Sequence, residues 1–128
     1  MFVAAQNAVR VLVIEDNPEQ RDLLRVGLEA AGHEVLTVSH GQQALAYLNG
    51  HRVDVVITDL FMPEMDGIEV ISTLRRQFPR IRVLAISGRG GVDYLTVAKE
   101  LGAARILRKP FPMDELIAAV EEPAAKSS

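Results

Sequence analysis

The sequence contains no cysteine among its 128 residues, which removes disulfide frameworks, zinc knuckles, iron-sulfur clusters and thiol nucleophiles from consideration. Long apolar runs are missing too. The stretches Val11 to Ile14 and Val55 to Ile57 are broken by charge within a few positions, far short of the ~18 to 20 apolar residues that cross a bilayer. No run of Lys or Arg is present, and the formal net charge is -3. A weakly negative surface gives no general attraction to nucleic acid or anionic lipid, so neither direct nucleic-acid binding nor membrane association is expected. The opening MFVAAQNAV lacks the basic and apolar regions of a signal peptide, and a cytoplasmic location is expected.

What is present is the material of one compact domain: 48% hydrophobic and 24% charged residues, in a chain long enough to bury a core without a disulfide or structural metal. Short β-branched runs alternate five times with longer segments whose apolar residues recur at three and four positions, the pattern of a parallel α/β sheet. Strands are expected at Arg10 to Ile14, Glu34 to Val38, Val53 to Thr58, Arg82 to Ile86 and Arg105 to Leu107. VLVI, VVIT and VLAI are nearly continuous apolar, as inner strands covered on both faces should be, whereas the second reads as more exposed. The first helix should start at Asn17 and Pro18, stack Leu24, Leu28 and Ala31, and close at Gly32. Further helices are expected over Gly41 to Leu48, Ile68 to Phe78, Val92 to Leu101 and Met113 to Val120. The connections are short, no internal repeat is evident, and the tail Pro123 to Ser128 is expected to be disordered.

In an open parallel sheet, ligands bind outside the carboxyl ends of the strands. Glu15 and Asp16 follow the first strand, Asp59 the third, Ser87 the fourth, and Lys109 with Pro110 the fifth. Asp54 and Glu34 lie at amino ends, and Asp93, Asp114 and Glu115 lie in first helical turns where they complement the helix dipole. Three carboxylates converging at the sheet top would repel one another unless a cation neutralised them, and oxygen-only ligation with water suits magnesium or manganese. Lys109 and the Ser87 hydroxyl add an anion-binding half, so the cluster suits a phosphoryl group, with Asp59 placed to attack phosphorus. Each residue also has a plainer explanation: Asp16 as a helix-start charge, Ser87-Gly88 as a turn, Lys109-Pro110 as a solvated strand end. Asp59 resists one, because a carboxylate directly after a buried VVIT run needs a partner such as Lys109. His33, His40 and His51 show no metal-motif spacing and are read as surface residues.

The segments VLVIEDNPEQRDLL, DVVITDLFMPEMDG, VLAISG and LRKPF occur in that order and at separations that resemble the receiver domain of two-component response regulators. The resemblance covers residues 9–121, with 1–8 an N-terminal extension and 122–128 a disordered tail. It implies a flavodoxin-like, doubly wound five-stranded parallel sheet of order 2-1-3-4-5 with five helices. It further implies that Asp59 accepts a phosphoryl group from a sensor histidine kinase or histidine phosphotransfer protein. Magnesium, or manganese in its place, would be held by Asp16, Asp59 and the backbone carbonyl of Phe61, with Glu15 acting through water. Lys109 would pair with the phosphoryl oxygens, and Ser87 would bond to them once Asp59 is modified. The aromatic switch position three residues before the lysine is here Ile106, an aliphatic side chain that can fill vacated space but cannot make a ring swing. Phe61 and Arg89 flank the path of attacking water, and bulky Phe61 is expected to slow hydrolysis.

On this reading the chain is not an enzyme acting on a free substrate; it catalyses only its own phosphoryl transfer and loss. Its length favours a stand-alone receiver, similar to single-domain chemotaxis regulators, that docks to a downstream protein or relays phosphoryl groups. The alternatives are a phosphorylation-independent pseudo-receiver and a fragment of a longer regulator with an output domain. A flavin or nucleotide binder fits poorly, because no GxxxxGK or GxGxxG is present and EDNPE would repel a phosphate. A haloacid-type phosphatase lacks its second aspartate, that position being Phe61. Kinase specificity is expected on the exposed face of the first helix, including Glu19, Arg21, Asp22 and Arg25.

Overall fold

The computed structural model describes residues 8–60, 67–88, 96 and 98–123. Five strands, β1 (Arg10–Ile14), β2 (Glu34–Val38), β3 (Val55–Asp59), β4 (Arg82–Ser87) and β5 (Arg105–Arg108), form one parallel sheet in the order β2-β1-β3-β4-β5. Helices α1 (Pro18–Ala30), α2 (Gly41–Leu48) and α3 (Gly67–Gln77) follow the first three strands. Residues 96 and 98–100 are helical and belong to α4, expected over 92–101, and α5 (Met113–Glu121) ends the fold. This is the doubly wound order that the motifs imply.

Period-2 alternation divides the core. Val11 and Val13 of β1, Val55 and Ile57 of β3, Leu84 and Ile86 of β4 and Leu107 of β5 pack against Leu24 and Leu28 of α1 and Leu116, Ala119 and Val120 of α5. Their neighbours Leu12, Ile14, Val56, Val83 and Ala85 face Ala44 and Leu48 of α2, Val70, Ile71 and Leu74 of α3 and Ala98 of α4. The inner strands are therefore apolar on both faces, and each fully buried large side chain stabilises the fold by roughly 1.5 to 3 kcal/mol. Helix α1 starts as its sequence predicts: Asn17 accepts the Gln20 N–H at 2.9 Å and Pro18 occupies the first turn. It closes into Gly32 at φ 97°, a backbone conformation that glycine tolerates best.

Strand β3 begins at Val55, two residues later than expected, because Asp54 is used differently. Its N–H donates to the Arg10 carbonyl and its carboxylate accepts the Arg10 N–H, both at 2.9 Å. Strands β1 and β2 and helix α2 keep their expected bounds, and those of β4, β5, α3 and α5 shift by at most one residue. His33 overturns its surface reading: it is 5% exposed, and its Nδ1 accepts the Val9 N–H at 3.1 Å. Nε2 is therefore the protonated nitrogen and donates to Glu121 at the end of α5, 2.8 Å away. Arg82 completes this amino-end framework by donating to the carbonyls of Ala119 (3.1 Å), Val120 (3.3 Å) and Glu122 (3.1 Å). A cation there complements the negative end of the α5 dipole. Arg105 bonds the Glu122 carboxylate. Among the described residues no helix is long and apolar enough to cross a membrane.

Candidate functional site

The row of side chains facing α1 and α5 does not stop with the core. Two residues beyond Val13, Ile57 and Leu107, the same alternation reaches Glu15, Asp59 and Lys109. Their side chains meet at the carboxyl end of the sheet. Lys109 Nζ donates to Asp59 Oδ2 at 2.9 Å, to Glu15 Oε1 at 3.3 Å and to Gln20 Oε1 at 2.5 Å. Glu15 is 1% exposed and Asp59 6%, so the two carboxylates are desolvated and share one half-buried ammonium.

Burial is the main cause that pushes the Glu15 carboxyl up to about 6, with the charge of Asp59 adding to it. The Asn17 N–H, which donates to Glu15 Oε2 at 3.2 Å, and Lys109 act in the opposite direction. Burial pulls Lys109 down, but its bonds to Asp59 and Glu15 outweigh this and hold it above the ordinary lysine range. Two buried carboxylates facing one ammonium leave the site with an excess of negative charge, which is compatible with a cation from outside.

The backbone frames these groups. Leu60 N–H donates to the Ile86 carbonyl at 3.0 Å and Lys109 N–H to the Ser87 carbonyl at 2.8 Å, so the ladder continues past the strand ends. The Lys109-Pro110 peptide bond is cis. Gly67 starts α3 against the end of β3: a Cβ there would lie 2.5 Å from the Asp59 carbonyl oxygen and 2.6 Å from Leu60 Cα. Only glycine permits that approach. Gly88 lies against the stem of Lys109.

The remaining expected residues divide. Ser87 is fully buried and belongs to the Val83–Ala85 row, on the face opposite Lys109; Ile106 pairs with Ala85 and packs on that same face. Asp16 is exposed. The convergence expected of three carboxylates is therefore met by two, and among the described residues no three acidic, histidine or cysteine side chains gather to hold a metal. One ammonium can hold Glu15 and Asp59 together, whereas a third carboxylate would add repulsion. Phe61, whose carbonyl is expected among the ligands, lies outside the described residues, as do Arg89 and Asp93.

Two participants were not anticipated. Gln20, in the first turn of α1, reaches Lys109, and its only sequence signal is its place three residues after an N-cap. Arg21, expected on the exposed kinase-facing side of α1, is half-buried and donates to the Glu15 carbonyl at 3.0 Å. Asp22 and Arg25 do face outward and pair at 2.9 Å.

A model of the response regulator receiver domain matches residues 11–121. The transcriptional regulatory protein TcrA of Mycobacterium tuberculosis is 41% identical over 112 residues, spanning 88% of this chain and 44% of TcrA. FixJ of Bradyrhizobium diazoefficiens, also a transcriptional regulatory protein, is 37% identical over 91% of this chain and 60% of its own length. Among solved structures, the receiver domain of Francisella response regulator 1452 superposes with a TM-score of 0.81 at 29% identity, covering 88% of this chain and 93% of that one. The Vibrio cholerae chemotaxis protein CheY4 superposes with a TM-score of 0.82 at 30% identity, covering 88% and 96%.

Proposed function

The chain belongs to the response regulator receiver domain family, and from that premise we propose that it is a phosphorylation switch whose acceptor is Asp59. The observation that carries this reading is a nearly buried carboxylate at the end of an inner strand with an ammonium 2.9 Å from its Oδ2. Receiver domains interact with histidine kinases, and here the donor is the phosphohistidine of a sensor kinase or phosphotransfer protein. An Asp59 oxygen forms a bond to phosphorus as the P–N bond breaks, and the electron pair leaves with the imidazole nitrogen. Lys109 then turns a hydrogen from the carboxylate to a phosphoryl oxygen.

Receiver domains generally bind magnesium at the phosphorylation site. The donors present fit it, because magnesium takes one or two carboxylates and keeps several waters. Asp16 and Asp59 would hold it with the Phe61 carbonyl, Glu15 acting through water, and when bound it would supply charge neutralisation for the incoming phosphoryl group. Ser87 and Ile106 form the response on the opposite face: the hydroxyl bonds the phosphoryl group, and Ile106 fills the space that this opens. The docking face for the donor is α1, where Leu23 is 66% and Val26 55% exposed beside Glu19, Asp22 and Arg25. The protein turns over no free substrate and catalyses only its own modification and its reversal. Output passes through docking to a downstream protein or through phosphorelay.

A second reading is favoured by coverage. The chain spans less than half the length of its mycobacterial relatives, which are transcriptional regulatory proteins. The domain would then serve as the receiver of a longer regulator, and the size of the native polypeptide decides between them. The acceptor itself is tested by intact mass after incubation with acetyl phosphate, with and without magnesium. Wild type should gain one phosphoryl group only with magnesium, and Asp59→Asn should gain none. A folded wild type that neither gains the group nor binds beryllofluoride refutes the reading and leaves a pseudo-receiver.

A further inference from the structure

The Lys109 ammonium has three hydrogens and three acceptors, and the third acceptor is unlike the others. Asp59 and Glu15 are carboxylates from strand ends; Gln20 is a neutral amide from the first turn of α1, 2.5 Å from Nζ. A glutamine three residues after an N-cap ordinarily folds back to the N-cap backbone N–H. Here that N–H is already taken, because Asn17 donates to Glu15 Oε2 at 3.2 Å. The Gln20 amide is thereby released from the helix end and spans the cleft to β5.

We propose that Gln20 is a positioning residue for phosphoryl transfer, its amide oxygen holding Lys109 over Asp59 while the carboxylates change partners. The inference rests on Asp59 being the phosphoryl acceptor and goes beyond it by assigning a role to a residue of α1. When a divalent cation draws on Glu15 and Asp59, those carboxylates can no longer serve Lys109 fully. Gln20 carries no charge, competes weakly for the cation and keeps its hydrogen bond. Lys109 then remains anchored at one hydrogen and has two to offer a phosphoryl oxygen. A lysine stem without that anchor has several rotatable bonds and loses this preorganisation. Because Gln20 is exposed on the helix that presents Leu23 and Val26, a donor docked on α1 also touches the residue that sets Lys109.

The test needs one readout that requires neither metal nor donor. Lys109 is labelled by reductive methylation in the metal-free protein and quantified by peptide mass against exposed Lys99 of the same chain. In Gln20→Ala, Lys109 labelling should rise severalfold relative to Lys99. With magnesium and acetyl phosphate, phosphorylation of Asp59 should slow by about three- to tenfold, as expected for loss of one hydrogen bond to a charged group. Gln20→Glu keeps an acceptor oxygen and should return Lys109 labelling to near wild type, but its charge competes for the cation, so phosphorylation should stay slowed. Unchanged Lys109 labelling in Gln20→Ala overturns the proposal, and so does raised labelling with phosphorylation at the wild-type rate. If the labelling contrast holds but the wild type accepts no phosphoryl group, the acceptor reading of Asp59 fails and the role in transfer falls with it.

Discussion

Replacing Gly67 with alanine places a methyl group where the end of β3 already stands. The new carbon would meet the Asp59 carbonyl oxygen at 2.5 Å and Leu60 Cα at 2.6 Å, both backbone atoms of the inner sheet, and Leu60 Cδ2 at 3.0 Å. A flexible side chain could turn aside, but backbone held by the Leu60 N–H to Ile86 carbonyl bond at 3.0 Å cannot. Helix α3 must therefore move outward by several tenths of an ångström, loosening Val70, Ile71 and Leu74 from the core. Overpacking of this kind costs roughly 1 to 3 kcal/mol, against which alanine recovers a few tenths at the first helical position. The net loss is about 2 kcal/mol, or a fall in Tm of roughly 6 to 10 °C for a domain of this size. Gly50→Ala is the matched control: nothing lies within 4 Å of its Cβ, its φ is not positive, and a gain of about 0.4 to 1 kcal/mol is expected from the unfolded chain. Urea denaturation of both variants, with the m-value unchanged, measures the contrast. A Gly67→Ala midpoint equal to that of wild type, or an equal loss in Gly50→Ala, would refute the steric argument.

Glu15 gives a pH signature. Its carboxyl, raised from 4.5 to about 6 chiefly by burial, binds a proton in the folded state at pH values where the unfolded chain has lost it, so its contribution to stability falls as pH rises from 4.5 through 6. The size is on the order of 1 kcal/mol, and metal-free Glu15→Gln should lack that part of the slope in urea midpoints across the window. Arg82→Met removes the cation that caps α5 at three carbonyls and should cost about 2 kcal/mol by chemical denaturation; a change below about 0.5 kcal/mol would make the cap irrelevant. His33→Ala strips partners from the Val9 N–H and from Glu121 and opens a buried space. It should cost about 2 to 4 kcal/mol, and a near-wild-type Tm would show that those groups find water instead.

Asp59 was legible because a carboxylate directly after VVIT cannot stay unpaired, and its partner was the lysine at the end of the next run but one. Strand identities followed from alternation, and the start of α1 followed from Asn17 and Pro18, since both signals act over a few residues. His33 was misread because nothing near it in sequence explains it; Glu121 lies 88 positions away. Gln20 was missed for the same reason, its partner being 89 positions distant, and a polar side chain in a first helical turn ordinarily faces water. Asp54 shortened β3 through a side-chain bond to Arg10, 44 positions back, that no propensity encodes. Local chemistry was readable wherever it sufficed, and what escaped were distant partners of side chains that carry no local signal of needing one.

The amino pole of the sheet is cross-tied in a way that gives the molecule a mechanical polarity. His33 joins β1 and α5, Arg82 grips the last carbonyls of that helix, and Arg105 holds the carboxylate of Glu122 just beyond it. A tug on residue 123 is delivered to β4 through Arg82, as load into a footing, before it can peel α5 from the core. At the opposite pole, among the described residues, Lys109 ties Glu15, Asp59 and Gln20 together by three bonds that can be traded. Strain introduced at Asp59 therefore meets bonds that can be exchanged at the head of the domain, while its foot keeps its bearings.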